Sequence, residues 1–312
     1  KRYGIPVLGP NVNESDIRFS VNAKDEIVFG LGAVKGVGEA AAEAIISERA
    51  ANGPYSSIFD FVKRIDLKTV NKRCFESLAL SGAFDCFEGV HRAQFFVFDN
   101  NGVTFIEKVI KFGQKYQVRR DTMQQSLFGE SQDVEMDDPE IPSCEPWKAF
   151  EQLKKEKEVI GFYISGHPLD QFSFEMEHFF TIPVDKINES MEKLKGREVR
   201  FAGIVASAAH RTTKTGKPFG TMELEGYEGI VRLALFSEDY LKYKHFFVED
   251  QFLFVKGRIQ HRYGREENDL EIKVSEIKLL SEVTEKYTEK ITLSFKLEQI
   301  DNQGKLAGWI KE

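Results

Sequence analysis

The sequence predicts a multidomain protein of the α plus all-β type, a helical domain followed by a five-stranded barrel. Two observations carry that prediction. Through residues 1–112 apolar residues recur at helical spacing around glycine turns, and through residues 197–280 they alternate with period two. A third separates the halves: the run GESQDVEMDDPE gathers six acidic residues with little to bury.

Among the helical elements, residues 30–45, GLGAVKGVGEAAAEAI, carry the most chemistry. Gly36 and Gly38 stand directly ahead of a short amphipathic helix. Such a turn points bare N–H groups outward, beside the helix's unpaired N-terminal donors and positive dipole end. That arrangement suits a phosphate. It fits no familiar nucleotide pattern: a P-loop needs Lys after its second glycine, where Glu39 follows Gly38, and the dinucleotide fingerprint needs a third glycine where Lys35 stands. Lys35, Gly36, Val37 and Gly38 therefore read as a helix-hairpin-helix grip on a duplex DNA backbone, blind to base sequence. The bland alternative is ordinary turn chemistry.

Ser56 or Ser57 caps a helix carrying Ile58, Phe59, Phe61, Val62 and Ile65, and Asn71 caps the next. That next helix opens a second copy of the hairpin, KRCFESLALSGAFDCF over residues 72–87, with a turn at Gly82-Ala83-Phe84 and a new helix near His91-Arg92-Ala93. Gly82, Ala83 and Arg92 are expected as further duplex contacts. In the alternative, Gly82 merely ends a helix of an ordinary bundle.

Residues 113–146 are expected to form a flexible acidic linker. Inside it, Gln124-Gln125-Ser126-Leu127-Phe128 places two large apolar residues in polar surroundings, forgoing about 1.5–3 kcal/mol for each side chain left unburied. A peptide anchor for a partner's pocket is expected, with Gln124 and Ser126 at the rim and Leu127 and Phe128 inside; docking on a neighbouring domain is the alternative. Residues 147–194 read as a helical connector, starting with an amphipathic helix from Trp147 to Ile160 and running into the loop FYISGHPLD.

Residues 195–283 supply the strands. Val199, Phe201 and Val205 mark the first, Met222 and Leu224 the second, and Val231, Leu233 and Leu235 the third. Phe252–Ile259 form the fourth, and Leu270, Ile272 and Val274 the fifth. A helix over 238–247 lies between the third and fourth. Five strands with a helix there fit an OB-fold, whose ligand loops join strands one and two and strands four and five. Both loops are basic: Arg211, Lys214 and Lys217 with Phe219 in the first, Arg258, Arg262, Tyr263 and Arg265 in the second. Phosphate neutralisation with base stacking on Phe219 or Tyr263 points to single-stranded DNA, against the plain fact that exposed loops are usually charged.

Net charge is −7 over 312 residues, which argues against indiscriminate coating of nucleic acid. The surplus acid sits in the middle: residues 1–112 carry 14 basic and 14 acidic residues, 113–160 carry 7 and 11, and 195–312 carry 20 and 19. No apolar run approaches the roughly 18 residues of a membrane span. The chain opens Lys1-Arg2-Tyr3 with no leader, as though cut from a longer protein. Cys74, Cys86 and Cys144 make no Cys-x-x-Cys pair and no even framework, which points to a reducing, cytoplasmic setting. No Asp-x-Asp pair, His-x-x-x-His group or Gly-x-Ser-x-Gly elbow is present, so no catalytic residue, metal site or cofactor is expected.

The order VLGPNVNES, FGLGAVKGVGEAA, LSGAFD, QQSLF, EKEVIGFYISGHPLD and a basic-looped OB-fold resembles the C-terminal part of bacterial DNA polymerase III alpha subunits, over essentially the whole chain. The resemblance implies the end of the fingers with a tandem helix-hairpin-helix over 1–112, and a peptide, Gln124, Ser126, Leu127 and Phe128, that binds the sliding clamp (beta subunit). It further implies an OB domain, and the start of a truncated C-terminal domain over 284–312 that in the family contacts the clamp loader's tau subunit. It places the DNA-directed DNA polymerase activity, with its palm aspartates and Mg, upstream of this sequence. Asn11 departs mildly from the expected Asp. A ligase-like or repair module joining hairpins to an OB-fold is the competing reading, and no Lys-x-Asp-Gly motif supports it. A pure interaction protein whose loops bind no nucleic acid is the other.

Overall fold

The computed structural model describes residues 5–125, 136–261 and 270–290. The chain divides into two compact units, Lys1–Pro168 and Leu169–Glu312.

The first unit opens with a small sheet of β1 (Val7–Leu8), β2 (Ser20–Val21) and β3 (Ile27–Val28), in which β3 is central, parallel to β1 and antiparallel to β2. A 3-10 turn at Leu31–Ala33 leads to α1 (Glu39–Asn52). Helix α2 (Ile58–Arg64) starts where Ser57 accepts from the Asp60 N–H at 3.1 Å. Helix α3 (Lys72–Ser81) starts where Asn71 does the same for Cys74. These are the side-chain caps the sequence advertised, each relieving an orphan donor of a first turn. A second 3-10 turn at Arg92–Phe96, α4 (Phe105–Gln125) and α5 (Ala149–Ile160) complete the helices. Phe61, Phe75, Phe84, Phe95 and Phe105 are all at most 2% exposed, and their edge-to-face and tilted contacts at 5.3–6.0 Å form the centre of the core.

Helix α4 corrects the linker boundary. Residues 113–125, expected to open the flexible linker, instead continue α4. A Cβ at Gly113 would lie 2.6 Å from the Val62 carbonyl oxygen, so the glycine marks where α4 crosses α2 at close range. Gln117 then donates to the Val62 and Ile65 carbonyls at 2.9 and 2.8 Å, satisfying the end of α2. The described residues after position 135 are also docked. Met136 and Ile141 pack on the core, Asp138 meets Lys63 at 2.9 Å, and Gln94 donates to the Pro142 carbonyl at 2.8 Å. Trp147 lies against Phe96 with ring centres 5.5 Å apart.

The second unit starts with α6 (Ser173–His178) and α7 (Val184–Ser190) and then builds an antiparallel sheet. Its strands are β4 (Glu198–Thr212), β5 (Pro218–Glu225), β6 (Ile230–Phe236), β7 (Phe252–His261) and β8 (Leu270–Leu279). They lie in the order β6-β5-β4-β7-β8, with α8 (Ser237–Tyr243) before β7 and α9 (Val283–Tyr287) after β8. All five predicted strands and the intervening helix are present. Along β6 burial alternates strictly, and Val231, Leu233 and Leu235 face a core shared with Val199, Phe201, Met222, Leu224 and Val255.

The barrel expectation needs correcting. Among the described residues no ladder joins β6 to β8, so the sheet is not closed. Asn188 of α7 donates to the Ile230 carbonyl of β6 at 2.9 Å, covering one end of that edge, and a cleft of about 580 Å³ is lined by residues of both strands.

Candidate nucleic-acid interface

The first hairpin is built from the glycines outward. Gly30 and Gly32 press against the 17–18 backbone, where a Cβ would come within 2.4 and 2.9 Å of main-chain atoms, so their role is packing. The turn is then pinned by Val34 N–H to the Leu31 carbonyl, Lys35 N–H to the Val159 carbonyl of α5 at 2.8 Å, and Val37 N–H to the Val34 carbonyl. Val37 turns its side chain inward at 6% exposure, while Lys35, Gly36 and Gly38 stay exposed. Gly36 and Gly38 hold φ of +94° and +74°, open to glycine and strained for other residues. Gly38 caps α1 without any side-chain hydrogen bond, so the N–H groups of the first turn point out unpaired by a cap.

Sequence reasoning missed one cation here. Arg73, exposed near the start of α3, brings its Nε within 3.6 Å of the position a Cβ on Gly36 would take. It makes no ion pair among the described residues. With Lys35 it sets two positive charges beside the turn, against the single Glu39 on the first turn of α1. No signal in one dimension pairs residues 36 and 73.

The second hairpin is a correction. Gly82 does end α3 in the left-handed region, with Ala83 N–H returning to the Leu78 carbonyl at 2.9 Å, but Gly82 and Ala83 are buried. Arg92 is 7% exposed and its guanidinium lies on Gly82, donating to Asp85 at 2.7 Å and to Glu156 at 2.9 Å. Glu156 also accepts from the Ile164 and Ser165 N–H groups and the Ser165 hydroxyl. Gly82, Ala83 and Arg92 thus form an internal knot and present no free cation to a phosphate. A buried guanidinium needs two acids, and the second, Glu156, lies 64 residues away in sequence.

Of the peptide, Gln124 belongs to the last turn of α4, and Ser126, Leu127 and Phe128 lie outside the described residues. Helix α4 is itself firmly started: Glu107 accepts from Thr104 N–H at 2.8 Å and from Lys72 at 3.0 Å, which hold its carboxyl down at about 2.

In the second unit the β4–β5 hairpin carries Arg211, Lys214 and Lys217, all exposed. Arg211 is the cross-strand partner of Phe219, and Phe219 stacks on Phe236 with ring centres 5.2 Å apart and planes 14° from parallel. Phe236 is 41% exposed and was not picked out from the sequence. Arg258 is exposed on β7; Arg262, Tyr263 and Arg265 lie outside the described residues. The cleft brings the two loops' strands together, since its lining includes Arg211, Arg232 of β6 and Leu270–Ile272, the first residues of β8.

Among the described residues no three of His, Cys, Asp and Glu gather to hold a metal ion. No helix among them is long and apolar enough to cross a membrane.

Parts of both units match known protein families. Residues 4–95 match the helix-hairpin-helix motif family, and residues 199–280 match the family described as OB-fold nucleic acid binding domain. The DNA polymerase III subunit alpha of Escherichia coli (strain K12) is 31% identical over 303 residues, which is 97% of this chain and 25% of that protein. That of Vibrio cholerae is 31% identical over 307 residues, with the same two shares. That of Borreliella burgdorferi is 32% identical over 288 residues, 90% of this chain and 24% of its own length. The chain therefore spans about a quarter of the length of the relatives it matches.

Proposed function

We propose that this chain, homologous along nearly its whole length to part of the DNA polymerase III alpha subunits, is the segment of a replicative DNA-directed DNA polymerase that holds the product duplex and tethers the enzyme to its sliding clamp. The observation that carries the reading is the Gly36–Gly38 turn: two exposed positive-φ glycines and the uncapped start of α1 lie together, with Arg73 Nε beside Gly36 and the exposed Lys35 next to it in sequence. Backbone donors at a helix N-terminus contact phosphate without reading bases, which is what a polymerase needs of a duplex whose sequence changes at every step.

The clamp is engaged through Gln124, in the last turn of α4, and Ser126, Leu127 and Phe128, which follow it in the sequence. Tau contact belongs to a domain that the family places after residue 284. The activity as a whole is that of the longer polymerase, acting in the cytoplasm on the chromosome.

Fluorescence anisotropy of a labelled duplex with the 312-residue chain tests the duplex reading: binding at low salt should fall steeply as salt rises, by counterion release. No binding at 50 mM salt would sink it. Leu127→Ala with Phe128→Ala should abolish clamp binding and leave duplex affinity unchanged; retained clamp affinity rejects the peptide assignment.

A second reading concerns single-stranded template at the OB unit. The stacked Phe219–Phe236 pair beside Arg211 favours it, since aromatic faces stack bases while cations follow the backbone.

A further inference from the structure

We propose that helix α4 is a second track for the phosphodiester backbone of duplex DNA, contacted by Lys111 and Lys115 and joined to the glycine turn through Arg73. The proposal rests on the duplex-holding reading above and extends it to a helix that carries no assigned contact.

The sequence of α4 puts Lys108, Lys111, Lys115 and Arg119 three or four residues apart, which sets them along one face. Phe105, Ile106, Val109 and Phe112 bury another. Lys108 is committed to Asp99 at 2.8 Å, but Lys111 and Lys115 are exposed and meet no carboxylate among the described residues. Lys111 and Lys115 repel each other at i and i+4, and Glu107, four residues before Lys111, offsets this at one end only. An anionic ligand would remove that repulsion.

The stripe also has a defined starting point. Arg73 stands beside Gly36, and its neighbour Lys72 reaches Glu107 at 3.0 Å at the first turn of α4. Lys111 lies four residues beyond Glu107 on the same face, and Lys115 four beyond that. Unpaired cations therefore stand at the turn, as Arg73, and again on α4, as Lys111 and Lys115, with Lys72 between them neutralised by Glu76 and Glu107. Lys111 and Lys115 are separated by roughly 6 Å of helix rise, close to two phosphate steps of one strand at about 3.4 Å each. From Lys111 to Gln124 the helix rises about 20 Å, the length of roughly six base pairs.

The test is a salt titration of a labelled duplex binding the 312-residue chain, comparing wild type, Lys111→Ala/Lys115→Ala and Lys35→Ala/Arg73→Ala. Two lost phosphate contacts should lower the slope of log K against log salt by about 1.8 in the α4 variant. An unchanged slope and affinity there, with a reduced slope in the Lys35/Arg73 variant, overturns the α4 track and leaves the turn intact. Unchanged slopes in both variants overturn the α4 track and take the duplex off the turn as well, whereas absence of wild-type binding at 50 mM salt removes the duplex reading itself. If the α4 variant loses affinity for the purified clamp and keeps its duplex slope, the stripe serves an acidic protein surface, which also overturns the proposal.

Discussion

Arg92 donates to Glu156 at 2.9 Å, and the carboxylate that receives it has no exposure to solvent. The pair ties the turn after α3 to the end of α5, and the second Glu156 oxygen fastens Ile164 and Ser165 at 3.1 and 2.9 Å. Desolvating two charges is expensive, so such a pair adds little net stability while both partners stand. Losing one partner strands the other, at about 3–5 kcal/mol. Arg92 keeps Asp85 when the Glu156 charge is removed, so Glu156→Gln is expected to cost less than a stranded charge, about 1–3 kcal/mol, read as a lowered calorimetric midpoint of the first unit. A change below about 1 kcal/mol would mean that water already reaches the pair.

The two glycines of the phosphate turn should separate stability from binding. Gly36 has φ +94° and a Cβ there would meet the Ser77 hydroxyl at 2.6 Å, so Gly36→Ala suffers both backbone strain and a clash, about 2 kcal/mol or more. Gly38 has φ +74° but open space around it, so Gly38→Ala carries the strain alone, about 1 kcal/mol. Because Gly38 faces solvent at the start of α1, its substitution should nonetheless weaken duplex binding. Equal melting temperatures for the two variants would contradict this ordering, and full duplex affinity in Gly38→Ala would count against the turn as a phosphate site.

Much of this was legible in the sequence where the signal is local. Ser57 and Asn71 caps, the alternation of Val231, Leu233 and Leu235, and the positive-φ glycines at 36, 38 and 82 are all written within a few residues of where they act. What failed depended on partners distant in sequence. Gly113 read as a break because nothing nearby shows that α2 crosses there, and Arg92 read as a ligand because Glu156 lies 64 residues later. Arg73 and Phe236 were missed for the same reason. Their neighbours, Gly36 and Phe219, become neighbours only when α3 packs under the turn and β6 pairs with β5.

Glu107 sets a pH dependence with a definite sign. The Thr104 N–H, then the Lys72 ammonium and the Thr104 hydroxyl, hold its carboxyl at about 2 against an ordinary 4.5. A carboxyl with a depressed folded pKa contributes stability that is fully present above pH 4.5 and is lost as pH falls from there towards 2. Glu107→Gln should therefore flatten the acid limb of the first unit's urea-unfolding curve between pH 5 and 2, relative to wild type. Asp99, also held at about 2 beside Lys108, keeps part of the slope in both proteins, so the comparison is between their difference curves. Parallel acid limbs would show that the Thr104 and Lys72 contacts do not persist in solution.

The exposed ring of Phe236 predicts a loss of single-strand binding that salt does not alter. Phe219 and Phe236 present one stacked surface across neighbouring strands, next to Arg211. A base stacked on such a surface contributes about 1–3 kcal/mol, a factor of about 5 to 150 in affinity. Phe236→Ala should lose affinity for a labelled oligothymidylate in that range. The salt slope should stay the same, because no cation is removed. Arg211→Ala should do the reverse, lowering the slope by about 0.7, the value for one phosphate of a single strand, with a smaller loss at high salt. Phe236 faces solvent, so its replacement leaves the core of Val231, Leu233 and Leu235 in place and a reduced affinity cannot be put down to unfolding. Oligothymidylate affinity that survives Phe236→Ala would place the strand elsewhere on the unit, and an equal slope in Arg211→Ala would remove the β4–β5 hairpin from the path.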